Sequence, residues 1–293
     1  MSNKLTIPQS KFICFISVII ACLTPKIYKK FLGDPSTQTE SLLHAIPIEL
    51  FLVIIILIIC YKIGFKNVSL SKPRWKKLYW IIPEIIIIII IIITTIKKPV
   101  SEPSYLIVGK LLFLSILIGI YEELLSRGII LHIFLKFGNV KRAIIFSGII
   151  FGMFHLSSFN GSNGVHTFQQ IIETVTAGIY AGVLTLALRS LIPLIFTHTF
   201  FDFFQFVSMY FNSLDKVTVV NSVSPSLFDI SCYFSSLLYL FIALVIYLFE
   251  RKNIAEYTQE LKSKSSEIII SNFEFYLNIL VMIISIVAIN IIF

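Results

Sequence analysis

Nine consecutive isoleucines, Ile85 to Ile93, run between Lys76-Lys77 and Lys97-Lys98. Such a block could pack as a buried strand, but at this length and between paired cations it reads as a helix facing lipid, where each backbone N–H must be satisfied within its own segment. The block is one of many. Stretches approaching the roughly 20 apolar residues that a bilayer requires recur near 44–64, 79–96, 105–121, 141–156, 168–188, 191–211, 228–249 and 272–292, with a weaker one near 12–24. With 57% hydrophobic and 14% charged residues and a mean hydropathy of +0.91, the chain carries more apolar surface than a soluble core of 293 residues could hide. The expected fold is all-α, a polytopic transmembrane helix bundle of about eight or nine spans.

The formal charge of +8 and pI near 9.2 invite a nucleic-acid reading, but the basic residues gather in short connections rather than on a soluble face. They read as topology signals. Lys62, Lys66, Lys72, Arg74, Lys76 and Lys77 crowd one connection and Arg251, Lys252, Lys262 and Lys264 another, whereas 157–167 holds neither Lys nor Arg. The first two are expected in the cytoplasm and the third outside; Lys136, Lys141, Arg142 and Arg189 then also fall inside, and the amino terminus is cytoplasmic if 12–24 spans. Lys26, Lys29 and Lys30 run against this scheme. Phe12 to Thr24 follows Lys4 and Lys11 as a signal peptide's apolar part would, yet no convincing small-residue cleavage site follows, and a retained span is expected. The connections 65–77 and 250–266 are expected to be solvated cytoplasmic links. Cys14, Cys22, Cys60 and Cys232 are scattered through apolar segments without a Cys-x-x-Cys pair, which favours packing as small hydrophobes over metal binding.

Ionisable side chains at bilayer depth are costly and by default mark function. The segment Tyr121-Glu122-Glu123-Leu124-Leu125-Ser126-Arg127-Gly128 sets two carboxylates and a guanidinium inside such a run. In a continuous helix over 105–135, Glu123 and Arg127 share a face and can pair along it. Glu122 is rotated by about 100° and is free to face a reacting group. A structural ion pair is the plain reading of Glu123 and Arg127, and it merges with the functional one, because a locked pair is what positions its neighbours. His198 and Asp202 repeat the four-residue spacing with Thr197 and Thr199 beside the histidine, and Phe151 and His155 repeat it on another span, where the ring can shield the imidazole from lipid. Small residues Ser147, Gly148 and Gly152, and Ala177, Gly178, Ala181 and Gly182 on the following span, permit close helix contact.

Two imidazoles and carboxylates on separate helices supply the parts for intramembrane hydrolysis in one of two ways. A zinc ion held by Glu122, His155 and His198 would activate water. Alternatively, Glu122 and His155 polarise water directly while His198 and Asp202 stabilise the tetrahedral oxyanion. The second needs no cofactor and is preferred. His44 and His166, at or beyond span ends, and His132 read as bystanders; Glu49, Glu84 and Glu173 have no partner at helical spacing and take no assignment. Rival chemistries leave no trace: there is no His-Glu-x-x-His and no Tyr-Asp with Gly-x-Gly-Asp, and Ser147 as a nucleophile with His198 would leave the Glu-Glu pair idle.

Taken in order, Glu122-Glu123-x-x-x-Arg127, Phe151-x-x-x-His155 and His198-x-x-x-Asp202 resemble the motif set of the CAAX protease and bacteriocin-processing membrane family, also called CPBP or Abi. The resemblance covers roughly 105–212, expected to be the catalytic core, with accessory spans in 1–104 and 213–293. It implies Glu122 and His155 as the water-activating pair, Glu123 and Arg127 as supports, and His198 with Asp202 at the oxyanion or metal position. It further implies an intramembrane endopeptidase acting on membrane-associated peptides or lipidated tails, embedded in a bacterial plasma membrane, with bacteriocin self-immunity or peptide maturation as roles. Two positions depart from the pattern: Ser126 stands where an aromatic residue is usual, and Asp202 where Asn is frequent. The competing class is a non-catalytic scaffold or immunity protein that binds a bacteriocin, its receptor or a sensor kinase; retention of all six polar motif residues argues against it. A transporter is the third, disfavoured because the remainders of 141–156 and 191–211 are apolar.

Overall fold

The computed structural model describes residues 38–63, 70–96, 103–137, 139–155, 164–214 and 231–263. The expected spans 12–24 and 272–292, with Cys14, Cys22 and the amino terminus, lie outside the described residues. In chain order the elements are α1 (Gln38–Ile63), a 3₁₀ segment (Trp75–Ile81) that leads into α2 (Ile82–Ile96), α3 (Tyr105–Glu123), a π-helical turn (Leu124–Ile130), α4 (Leu131–Phe137), α5 (Val140–Phe154), α6 (Gly164–Leu188), α7 (Ile192–Leu214) and α8 (Ser231–Ser263). Every regular element among the described residues is helical, and the chain is a polytopic membrane protein.

Among the described residues, six stretches are long and apolar enough to cross a membrane: Thr39–Tyr61, Trp75–Thr95, Tyr105–Leu135, Thr167–Leu188, Ile192–Leu214 and Tyr233–Ser263. They coincide with six of the expected spans. The expected span at 141–156 corresponds to α5, whose 15 residues reach only about 22 Å at 1.5 Å per residue, short of the ~30 Å hydrocarbon core.

The isoleucine run is helical and turns one stripe outward, Ile82, Ile85, Ile86, Ile89, Ile90 and Ile93 being exposed. Its opposite face carries Glu84 and buried Thr95. Pro193 occupies the first turn of α7, where a backbone N–H has no helical acceptor to lose, whereas Pro83 stands at the junction of the 3₁₀ segment and α2. Asn139 caps α5 by accepting from the Arg142 N–H at 2.9 Å.

α6 runs through the middle of the described bundle, between α5 and α8. Its seam with α5 is made of small residues: a methyl built at Gly178 would lie 2.9 Å from Gly148 Cα, and one built at Gly148 would lie 2.9 Å from the Ile179 backbone N. This is the close approach expected of small residues spaced along membrane helices. α3 packs on α7 in the same manner, since a methyl at Gly119 would stand 2.5 Å from Thr199 Oγ1 and 3.2 Å from the Ile195 carbonyl oxygen. α1 and α2 close the bundle against α3 and α7.

One end of the bundle is tied by polar contacts. Glu250, 2% exposed, accepts from Lys77 Nζ at 2.6 Å and Trp80 Nε1 at 3.1 Å, and its other oxygen accepts from Asn253 Nδ2 at 3.1 Å. Asn253 also donates to the Ala187 carbonyl at 2.9 Å and receives Arg189 Nε at 3.1 Å and Arg74. The tight α6–α7 connection places Arg189 at φ 57°, a left-handed conformation that side chains other than Gly seldom adopt. Its guanidinium is held over the Tyr257 ring, 5.0 Å from the centroid, and by Glu256 and Glu260 at 3.6 and 3.3 Å. The expectation of a solvated link over 250–266 is therefore corrected as far as residue 263: α8 continues without a break, and Glu250, Ile254, Tyr257 and Thr258 form a buried face on it. The basic connection before the isoleucine run, Arg189 and the basic stretch after 250 meet at this one end, as their placement on one side of the membrane requires.

Candidate active site

Residues 105–135 form one continuous helical rod, as the spacing argument assumed, but with a π-helical turn where α3 passes into α4. In such a turn N–H groups reach back five residues, and the Leu131 N–H bonds the Ser126 carbonyl. Side chains four and five apart are then brought together. Arg127 Nη1 donates to Glu123 Oε1 at 2.8 Å, and His132 Nδ1 lies 2.6 Å from the Arg127 carbonyl oxygen. Arg127 and Glu123 are almost sealed, at 2% and 3% exposure. Ser126 is fully buried inside the turn.

Across the α3–α7 contact, His198 Nδ1 lies 2.9 Å from the same Glu123 oxygen that holds Arg127. An ionised carboxylate only accepts, so Nδ1 donates and the ring is fixed with Nε2 facing away. There Nε2 meets Glu122 Oε2 at 3.8 Å and Asp202 Oδ2 at 3.5 Å. Glu122 and Asp202 are more open than the locked pair, at 24% and 17% exposure. The structure thus gathers five of the six expected residues in one cluster: Glu122, Glu123 and Arg127 from one helix, His198 and Asp202 from another. Glu123 does more than the spacing indicated, because it orients His198 as well as pairing with Arg127.

His155 stands one ring further out. It follows the last turn of the short helix α5, edge-on to Phe151 with centroids 5.7 Å apart, within electrostatic reach of Asp202 and His198. Its Nδ1 is buried without a hydrogen-bond partner among the described residues. Phe151, expected to shield His155 from lipid, takes a central position: the Arg127 guanidinium carbon lies 4.1 Å from its centroid as a cation–π contact, and the His198 ring meets it edge-on at 6.4 Å. One aromatic side chain therefore touches the motif residues of all three helices.

Two carboxylates left unassigned by sequence approach the same cluster. Glu49 on α1 lies within electrostatic reach of Glu122 and Asp202, and Glu84 on α2 within that of Glu123, Arg127 and His198. Each has a buried Oε2 without a hydrogen-bond partner among the described residues. The available signal was only that each is ionisable inside an apolar span; their partners lie on other helices, which spacing along one helix does not reveal.

Among the described residues no three His, Cys, Asp or Glu side chains are grouped as metal ligands; with Nδ1 of His198 on Glu123, its Nε2 faces Glu122 and Asp202. Free Cys60 is fully buried, in keeping with its reading as a small hydrophobe.

The arrangement is that of a helical membrane protein with a buried acid–imidazole cluster at a helix crossing. Residues 104–204, from the start of α3 into α7, match the family model for type II CAAX prenyl endopeptidase Rce1-like proteins, which is the family type that the three motifs resemble. No curated protein and no solved structure matches the chain.

Proposed function

We propose that this chain is an intramembrane endopeptidase of the CAAX-protease type, hydrolysing peptide bonds of membrane-associated peptides or lipidated protein tails by a glutamate-dependent route. The observation that carries this reading is the convergence of Glu122, Glu123 and Asp202 on the single imidazole of His198, with Arg127 pairing Glu123 from behind. Glu122, open to the site and without a cation closer than His198, takes a proton from water as the oxygen adds to the scissile carbonyl carbon. It then returns that proton to the departing amine. His198, in its imidazolium form, donates from Nε2 to the oxyanion while its Nδ1 proton stays on Glu123, so the donor is aimed before substrate arrives. Asp202 faces the same Nε2 and His155 polarises the attacking water. In a bacterial plasma membrane, with the basic end of the bundle in the cytoplasm, such an activity serves peptide maturation or bacteriocin self-immunity.

The test uses purified protein in detergent and a membrane-anchored peptide labelled on both sides of its cleavable segment. Wild type should release fragments at a rate unchanged by a chelator, and Glu122→Gln, with intact fold, should release none. Intact substrate with wild type would sink the protease reading, retained binding pointing instead to the scaffold. Full activity in Glu122→Gln would remove the general base, and inhibition by the chelator would replace the glutamate route with a metal one.

A further inference from the structure

Glu84 has no place in the proposed mechanism and no evident use in its own helix. α2 is otherwise isoleucine, threonine and one proline, and a carboxylate in such a helix costs free energy unless something across the bundle compensates for it. Its face is the one opposite the lipid-facing stripe, and α2 packs directly on α7. There the carboxylate comes within interaction range of the hydroxyl of Thr197, the residue immediately before His198. The single proton of that hydroxyl is only weakly engaged within its helix, 3.3 Å from the Leu194 carbonyl oxygen, so it can turn to the carboxylate instead. Thr197 is 8% exposed, and Glu84 Oε2 is buried without a partner. Beyond Thr197, Glu84 comes within electrostatic reach of Glu123, His198 and Arg127, the three groups that aim the imidazole.

We propose that Glu84 is a positioning residue of the hydrolytic site, which through the Thr197 hydroxyl holds the turn of α7 that presents His198 to Glu123. The inference rests on the protease reading above and extends the working site to a helix outside the matched residues 104–204. A side chain that orients a reacting group from behind acts on the chemical step more than on substrate binding.

The discriminating variant is Glu84→Ile. It continues the isoleucine run, adds no charge and leaves little cavity, so a carboxylate with a merely structural role would be replaced at little cost. The expected result is kcat lowered on the order of tenfold or more with KM within about twofold, at unchanged abundance in the membrane. Glu84→Gln keeps an oxygen for Thr197 and should stay within about threefold of wild type. Thr197→Val should lower kcat as Glu84→Ile does, and the double variant should fall no further, as for two groups acting through one contact. Wild-type kcat in Glu84→Ile, or additive losses in the double variant, would overturn the proposal. If wild type itself fails to cleave, the protease reading falls separately. Thermal denaturation of wild type, Glu84→Ile, Thr197→Val and their double variant in detergent then judges the contact alone, and strictly additive Tm shifts would refute it.

Discussion

Arg127 meets Glu123 along the helix, Phe151 across the α5 contact and His132 through its own carbonyl. Arg127→Ala would leave a carboxylate that is 3% exposed with His198 as its remaining partner and lose the ring contact as well, and removing one partner of a buried ion pair costs about 3–5 kcal/mol. The variant should show a lower Tm in detergent and reduced abundance in membranes, along with weaker cleavage, because Glu123 would no longer be fixed by Arg127 as it orients His198. A Tm equal to wild type would mean that Glu123 is satisfied by His198 alone. At this scale much was legible. Four-residue spacing predicted the Glu123–Arg127 pair and put His198 and Asp202 together, because those geometries are set by one helix. The contact of Glu123 with His198 was not legible, nor was the approach of Glu49 and Glu84. Each depends on the rotation of one helix about its axis relative to another, which side-chain packing fixes and spacing along a single helix does not encode.

The elements owe their placement to small residues. Gly178 and Gly148 face each other so closely that a methyl at Gly178 meets Gly148 Cα at 2.9 Å and its carbonyl oxygen at 3.2 Å. Neither atom belongs to a side chain that could rotate away, so α5 and α6 must move apart in Gly178→Ala. Overpacking of this kind costs typically 1–3 kcal/mol. The expected outcome is a Tm several degrees lower, with activity falling further than stability alone explains, since α5 carries Phe151 and His155. Unchanged Tm and activity would show that the seam tolerates separation. The sequence made this seam visible through its run of small residues. It also bounded the apolar stretch at 141–156, close to the 15 residues of α5, but did not show that the passage from α3 to α4 is a π-helical turn. That turn leaves the hydrophobic pattern almost unchanged while altering which side chains meet.

For the whole molecule, the tied end matters most. Lys77→Ala would leave the buried Glu250 with Trp80 and Asn253 as donors. Lys77 is itself 35% exposed, so solvent screening limits the loss to about 1–2 kcal/mol. The measurable result is a modestly reduced Tm with full cleavage activity, the network lying apart from the catalytic cluster; a loss of activity at unchanged Tm would couple the two. Charge distribution made the grouping of these basic segments legible, but the polar character of 250–266 concealed a helix with one buried face, since the hydrogen bonds from Lys77 and Trp80 to Glu250 come from 173 and 170 positions earlier. The position of that acid in the chain also bears on biogenesis. A ribosome delivers Arg74, Lys77 and Arg189 to the membrane well before Glu250 and Asn253 exist, so the nascent bundle holds a cationic socket whose partners on α8 arrive later. Docking of α8 closes it, and the unmatched charges would distinguish an unfinished chain from a complete one for whatever surveys newly inserted proteins.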